Sequence, residues 1–452
     1  MTTVKFTPFP YQPAMIDWCL TRHSSALFVS AGKGKTVCTL SILTSLFSRG
    51  EIKGVLIVAP LRVCSITWVT QVQKWEHSCH LKVAQLRSKE GMQAWEDQSA
   101  DIYLINSEQL ISKSEFLFKR KSLPVDCIVI DEISLAKNPK SKRFAKLKNV
   151  LPLFKYRIGL TGTPVPNDYL DLYGQIRLLD DGKRLGKTYF EYRRRYFYQA
   201  DYMGYTYKLL PNAKEKIDEI LSDLCLVIQG DGSDLPSSSV IDILVNMPRD
   251  AQKVYNELEK ELLVEVASTE IVALTAATLC GKLRQVLGGA VYDEDKNVIF
   301  VHDAKIEALK KIRERHKLEP MLILTSFKHE SKRILATIEG SEMFDERRMD
   351  DWMSGKIHTW VADPRSLSHG IDGLQTAGRI AVWYSLTYSN ETYMQTNARL
   401  IRIGQAASTI IYRIICPNTL DDAIAETLRD KTNTQSGLLS ALTALQKIRQ
   451  IK

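Results

Sequence analysis

The amino-acid sequence predicts an α/β protein with two lobes, each built on a parallel sheet, and helical insertions between them. Two groups of strand-like runs, the helical segments that separate them, and a long gap without such runs carry this expectation. The first group is SSALFVSAG, KGVLIVAPL, ADIYLINSE, VDCIVIDE and YRIGLTGTP; the second is MLILTSF, HTWVADP, GRIAVWYS and STIIYRIIC. Each run holds four to eight β-branched or apolar residues without strict alternation, as suits strands covered on both faces. Between them lie segments of helical period, such as TVCTLSILTSLFSR and ITWVTQVQKWEH. Strand, helix and strand in repetition call for a parallel sheet. From about Asp168 to Ala304 the pattern gives way to charged amphipathic sequence such as RDAQKVYNELEKELLVEVAS, which reads as helix. The stretch from about Leu420 onward also reads as helix with a polar end.

Length and composition fit an enzyme better than a small binding module. The 452 residues correspond to about three domain-equivalents, and 44% hydrophobic with 25% charged residues is a globular composition. The net charge of +9 admits a polyanionic partner without requiring one. The eight cysteines form no C-x-x-C pair and read as reduced core residues. The opening MTTVKFTPFP has no charged segment followed by an apolar stretch, and no apolar run approaches the roughly 18 residues of a membrane span. A cytoplasmic protein with no membrane partner is expected.

Chemistry first becomes legible at Ser30-Ala31-Gly32-Lys33-Gly34-Lys35-Thr36, between the run ALFV and an amphipathic helix. Glycines let backbone N–H groups approach phosphate oxygens, and a helix N-terminus adds positive potential. Lys35 would neutralise the β/γ charge and Thr36 would ligate Mg²⁺. Position 29 is Val, so this is a relaxed form of the phosphate loop. An acidic pair at another strand end would complete such a site. Asp131-Glu132 closes Cys127-Ile128-Val129-Ile130, with Asp131 to hold Mg²⁺ and Glu132 to orient or deprotonate the attacking water.

Further motifs fall into order around these. Tyr11-Gln12 precedes the phosphate loop; Ala59-Pro60 ends the next strand; Lys137-Asn138 follows the acidic pair; Leu160-Thr161-Gly162-Thr163-Pro164 precedes Asn167. Later come Thr325-Ser326-Phe327, then Gly370-Ile371-Asp372-Gly373-Leu374-Gln375, then the eleven residues Gln395 to Gln405 with the pattern Q-x-x-x-R-x-x-R-x-G-Q. Over nearly the whole chain this resembles the superfamily-two helicases, specifically the Swi/Snf-type DNA-dependent ATPases, in a compact form like those of many bacteriophages. The usual Met-Gly-Leu-Gly-Lys-Thr is here Ala31 to Thr36, and the usual Asp-Glu-Ala-His ends in Ile133-Ser134.

The resemblance implies two RecA-like lobes, 1–238 and 239–452, with helical protrusions from about 168 in the first and to about 304 in the second. It implies ATP and Mg²⁺ as cofactors. Tyr11 and Gln12 would select adenine; Gly32, Lys33, Gly34, Lys35, Thr36 and Asp372 would contact nucleotide; Thr36 and Asp131 would serve the metal. With Gln395, Arg399 and Arg402, expected three residues apart on one helical face, would act on transition-state charge. DNA would be met mainly through phosphates. The candidates are Lys137, Lys140, Lys142 and Arg143, within twelve residues carrying six basic and no acidic side chains, and Arg193, Arg194 and Arg195 among the nine aromatics of Tyr189 to Tyr207. Most of those aromatics should pack as a small core. The function so implied is a DNA translocase or helicase acting in phage replication, recombination or fork remodelling, with a possible partner protein from those processes and the host cytoplasm as its compartment. The alternatives are an RNA-dependent helicase, a DNA-binding regulator that does not translocate, and a nucleotide kinase, which would need no arginine motif.

Overall fold

A computed structural model describes residues 3–30, 32–119, 122–162, 169–200, 207–228, 238–267, 273–317, 319–367, 371, 373–401, 408–429 and 445. The chain divides into two compact units, Met1–Gly230 and Asp231–Lys452.

The first unit contains β1 (Ser24–Val29), β2 (Val55–Val58), β3 (Val83–Gln85), β4 (Ile102–Ile105), β5 (Cys127–Asp131), β6 (Tyr156–Thr161), a small hairpin of β7 (Phe197–Gln199) and β8 (Tyr207–Leu209), and β9 (Cys225–Ile228). Seven of them form one parallel sheet in the order β3-β4-β2-β5-β6-β1-β9. Burial is continuous along β1, β2, β4, β5 and β6, because helices cover both faces. Successive residues of β1 serve opposite cores: Ala26 and Phe28 pack into one, Leu27 and Val29 into the other. The register pairs Phe28 with Thr161 and Leu160 with Asp131, which brings the carboxyl ends of β1, β5 and β6 level.

The second unit adds β10 (Ser238–Leu244), a hairpin of β11 (Ala290–Tyr292) and β12 (Val298–Phe300), β13 (Met321–Leu324), β14 (Ser341–Met343), β15 (Thr359–Ala362), β16 (Ile380–Trp383) and β17 (Thr409–Ile415). Its parallel sheet runs β10-β17-β16-β13-β15-β14. All nine strand-like runs of the sequence thus became sheet strands. The expected α/β class with two parallel sheets is the observed one.

The region read as helical between about Asp168 and Ala304 needs correction. It holds the helices Arg249–Ala267 and Ala273–Leu287, but it also supplies β9 to the first sheet and β10 to the second, besides both hairpins. Edge strands are buried on fewer sides and tolerate polar residues, so they lack the dense apolar signature of the central ones. In β10 the exception has a partner: Asp242 stands opposite Arg413 of β17 and accepts two hydrogen bonds from it, at 2.6 and 2.8 Å. The segment ITWVTQVQKWEH is likewise not one uniform helix. A π-helical turn, Val63–Thr67, precedes the α-helix Trp68–Lys74.

Among the described residues, the second unit buries two imidazoles without full hydrogen bonding. His302 accepts at Nδ1 from the Ala304 N–H, while its Nε2 and both nitrogens of His329 have no partner. Burial first, and then the positive charge of Arg333 and, for His302, Lys305, push both pKa values down to about 4. Between about pH 6.5 and 4 the unfolded imidazoles bind protons that the native ones refuse, so stability falls as pH is lowered through that window. Each histidine contributes a loss of roughly 1–2 kcal/mol at pH 5. His329 stacks on Phe327 with 8° between the rings, so His329→Phe should fit. Its urea midpoint should then fall less than the parent's between pH 8 and 5; an equal fall in both proteins would refute the assignment.

Candidate nucleotide site

The site begins where β1 gives way to the helix Lys35–Ser48. Gly32 and Gly34 have φ of 82° and 76°, a region that residues with a Cβ enter at a cost. At Gly34 a Cβ would also lie 2.4 Å from Gln12 Nε2. The conformation therefore favours glycine there, and a side chain would also have to displace the Gln12 amide. The loop is held from outside: Tyr11 Oη and Gln12 Nε2 each donate to the Lys33 carbonyl at 3.2 Å, and Gln12 Oε1 accepts from the Phe9 N–H at 2.8 Å. Tyr11 and Gln12 are thus brought to the phosphate loop itself. Lys33 is buried, with its ammonium 5.1 Å from the centre of the Tyr11 ring. Lys35 opens the helix, and its ammonium donates to the carbonyls of Val29 and Ser30 at 2.7 and 3.3 Å. Thr36 follows in the first helical turn, half-buried.

The acidic pair stands two strands away. Glu132 adopts a left-handed conformation, φ 64°, directly after β5. Such strain in a non-glycine residue costs on the order of 1–3 kcal/mol and persists where the surroundings impose it. Two hydroxyls do so here, both donating to Glu132 Oε1: Ser134 at 2.6 Å and Thr161, at the end of β6, at 2.8 Å. Ser134 therefore has a defined contact with the acidic pair. Asp131 Oδ2 accepts from the indole N–H of the fully buried Trp68 at 2.9 Å. Sequence reasoning passed over Trp68, because a tryptophan in an amphipathic segment carries no signal beyond core packing.

Gly162 joins the two halves. A Cβ at this position would stand 3.7 Å from Lys35 Nζ and 3.9 Å from Glu132 Oε2. An ammonium and a carboxylate thus flank a stretch of backbone kept free of side chain. Hard oxygen donors at Thr36 and Asp131 suit Mg²⁺, and the lysine and glycine-rich loop suit a polyphosphate, so the residues present fit the group. Nearby Cys64 is buried, and that burial together with the Asp131 carboxylate pushes its thiol up to about 12, which makes it inert. Among the described residues no cluster of metal-ligating side chains of another type occurs, and Cys79 is the exposed exception to a core role for the cysteines.

In the second unit Gln395 lies in the helix Asn390–Asn397 and donates to Glu391 at 3.2 Å. Arg399 is not on a helical face as expected: the helix ends at Asn397 and Arg399 sits on the turn that follows. The Asn397 side chain accepts from Trp383 Nε1, tying the helix end to the sheet. Arg399 donates to the carbonyls of Leu367 and Ile371 at 3.1 and 3.3 Å. Arg402 and Asp372 lie outside the described residues, as do Gly370 and Thr163 to Asp168.

The basic candidates divide by their surroundings. Lys140 and Lys142 are exposed, Lys137 pairs with Asp171 at 3.4 Å, and Arg143 is held by Glu108 at 3.1 Å and the Leu135 carbonyl at 3.2 Å. Arg194 and Arg195 are exposed on the helix Tyr189–Tyr196, whereas Arg193 lies over the rings of Tyr189 and Tyr207 at 5.2 and 4.4 Å. Tyr192, Tyr196 and Phe197 are buried in the core beneath.

A family model for the SNF2-related domain matches residues 11–295. Protein p41 of Acyrthosiphon pisum secondary endosymbiont phage 1 is 33% identical over 97% of this chain and 99% of its own length. The chain belongs to the SNF2-related family. As an SNF2-related chain it is an ATPase/helicase core by kinship. An uncharacterized ATP-dependent helicase of Mycoplasma genitalium is 24% identical over 93% of the chain, which spans only 41% of that larger protein. Among solved structures, the Sulfolobus solfataricus SWI2/SNF2 ATPase core in complex with double-stranded DNA is 22% identical, covering 99% of this chain and 97% of that one with a TM-score of 0.47. No helix among the described residues is long and apolar enough to cross a membrane.

Proposed function

We propose that this SNF2-related chain is a DNA-dependent ATPase that moves along DNA. The observation that carries the reading is the grouping of Lys35, Glu132, Thr161 and Gly162 at the carboxyl edge of one sheet, beside a phosphate loop with two left-handed glycines. The loop and Lys35 bind the polyphosphate, Thr36 and Asp131 hold Mg²⁺, and Glu132 orients the attacking water. The bound ion offsets phosphate charge. Tyr11 and Gln12 select adenine next to the loop they brace, Asp372 assists nucleotide binding, and Gln395, Arg399 and Arg402 act on transition-state charge, roles that rest on the family motifs.

DNA is gripped through its phosphates by Lys137, Lys140, Lys142 and Arg143 and by Arg193, Arg194 and Arg195, so binding tolerates sequence and weakens with salt. The match to a phage protein over nearly all of both chains supports a compact motor in phage replication, recombination or fork remodelling. Steady-state phosphate release measured without nucleic acid and with double-stranded DNA, single-stranded DNA or RNA tests the reading. DNA should stimulate hydrolysis, and raising the salt from 50 to 200 mM should abolish most of the stimulation. Stimulation by RNA alone would overturn the choice of DNA.

A further inference from the structure

Trp68 has the surroundings of more than a core residue. It follows directly on the π-helical turn Val63–Thr67, a rare winding that recurs at functional sites. Its side chain is fully buried, and its indole N–H is directed at Asp131 Oδ2. Burial alone does not require that partner. The indoles of Trp95 and Trp360 are equally buried, and their N–H groups make no hydrogen bond. An N–H donated to a carboxylate is a stronger, charge-assisted bond, and it fixes the rotation of the acceptor. Ser134 and Thr161 hold Glu132 in the same way, each by a side-chain donor to a single carboxylate oxygen.

We infer that Trp68 is a positioning residue for the metal carboxylate, orienting Asp131 so that Mg²⁺ joins the bound nucleotide without a rotational search. This rests on the ATP·Mg²⁺ reading of the site. Residues that orient a metal ligand typically govern metal affinity by about 10- to 100-fold when removed. They do so without touching the polyphosphate.

The test is Trp68→Phe, which deletes the N–H and keeps an aromatic ring in the core. Binding of a fluorescent ATP analogue is titrated with Mg²⁺, and separately in EDTA. The Mg²⁺ concentration for half-maximal effect should rise about tenfold, while affinity in EDTA stays within about twofold of the parent. Mn²⁺ at higher concentration should restore parental binding. An unchanged Mg²⁺ dependence overturns the inference, as does an equal loss in EDTA and in Mg²⁺, which marks a purely structural role.

A measurement on the parent covers the case in which the variant fails to fold. With ADP bound, paramagnetic Mn²⁺ should selectively broaden one of the seven ¹⁵N-indole resonances. Broadening of none, with the metal shown to bind, overturns the inference. A parent that binds no nucleotide sinks the ATP reading and this inference together. A parent that binds and hydrolyses ATP normally, beside a variant with the same Mg²⁺ dependence, sinks the inference alone.

Discussion

Glu132→Gln should lower ATP hydrolysis by roughly 10²- to 10⁴-fold while nucleotide binding persists. The geometry makes this substitution unusually clean. Ser134 and Thr161 donate to one side-chain oxygen of Glu132, at 2.6 and 2.8 Å, and the amide oxygen of glutamine can accept both. The strained backbone at φ 64° and the packing around it are then retained. What disappears is the negative charge beside Lys35 that would orient or deprotonate water. Phosphate release in a single turnover, read beside binding of a fluorescent nucleotide, separates the two effects. A variant that hydrolyses ATP like the parent would show that the water-activating group lies elsewhere. Lys35→Ala should instead lose nucleotide binding itself, because the ammonium is the loop's phosphate partner.

Lys305→Ala should destabilise the second unit by about 3–5 kcal/mol, the usual cost of leaving one buried charge without its partner. Lys305 is completely buried, 2.6 Å from the Asp421 carboxylate, and also donates to the Tyr384 carbonyl at 3.0 Å. Burial pulls the lysine pKa down, yet the Asp421 carboxylate opposes it through charge and hydrogen bond, and the pKa is left raised. The ammonium is therefore charged in the fold. The pair joins the starts of two helices, Ala304–Arg315 and Leu420–Arg429, behind the sheet. Replacing both partners with apolar residues, Lys305→Met with Asp421→Leu, should recover most of the loss, since neither member of the pair is then left buried without the other. Urea unfolding followed through the buried Trp352, Trp360 and Trp383 of this unit measures it. A midpoint for Lys305→Ala within experimental error of the parent's would mean that water reaches the pair.

Central strands and chemistry motifs were legible because both follow from local sequence. A buried parallel strand such as β5 must be apolar along its buried run, Cys127 to Ile130, and a phosphate loop must place its glycines next to its lysine. Edge strands were not legible: Ser238–Leu244 owes its aspartate to an arginine 171 positions away, and no local pattern announces such a pair. The end of the helix at Asn397 was equally hidden, because Trp383, on a different strand, secures it.

By itself the sequence determined the α/β class and the central strands of both sheets, and it singled out Lys35, Thr36, Asp131 and Glu132 as candidates. Those are properties of short segments, written in residue type and spacing. Only the tertiary structure decided which donors hold the acidic pair: Trp68 on Asp131, and Ser134 with Thr161 on Glu132. The register of β5 against β6, and the π-helical turn before Trp68, bring side chains from distant segments within hydrogen-bond range of one strand end. Direction and distance of that kind arise only once the sheet has formed.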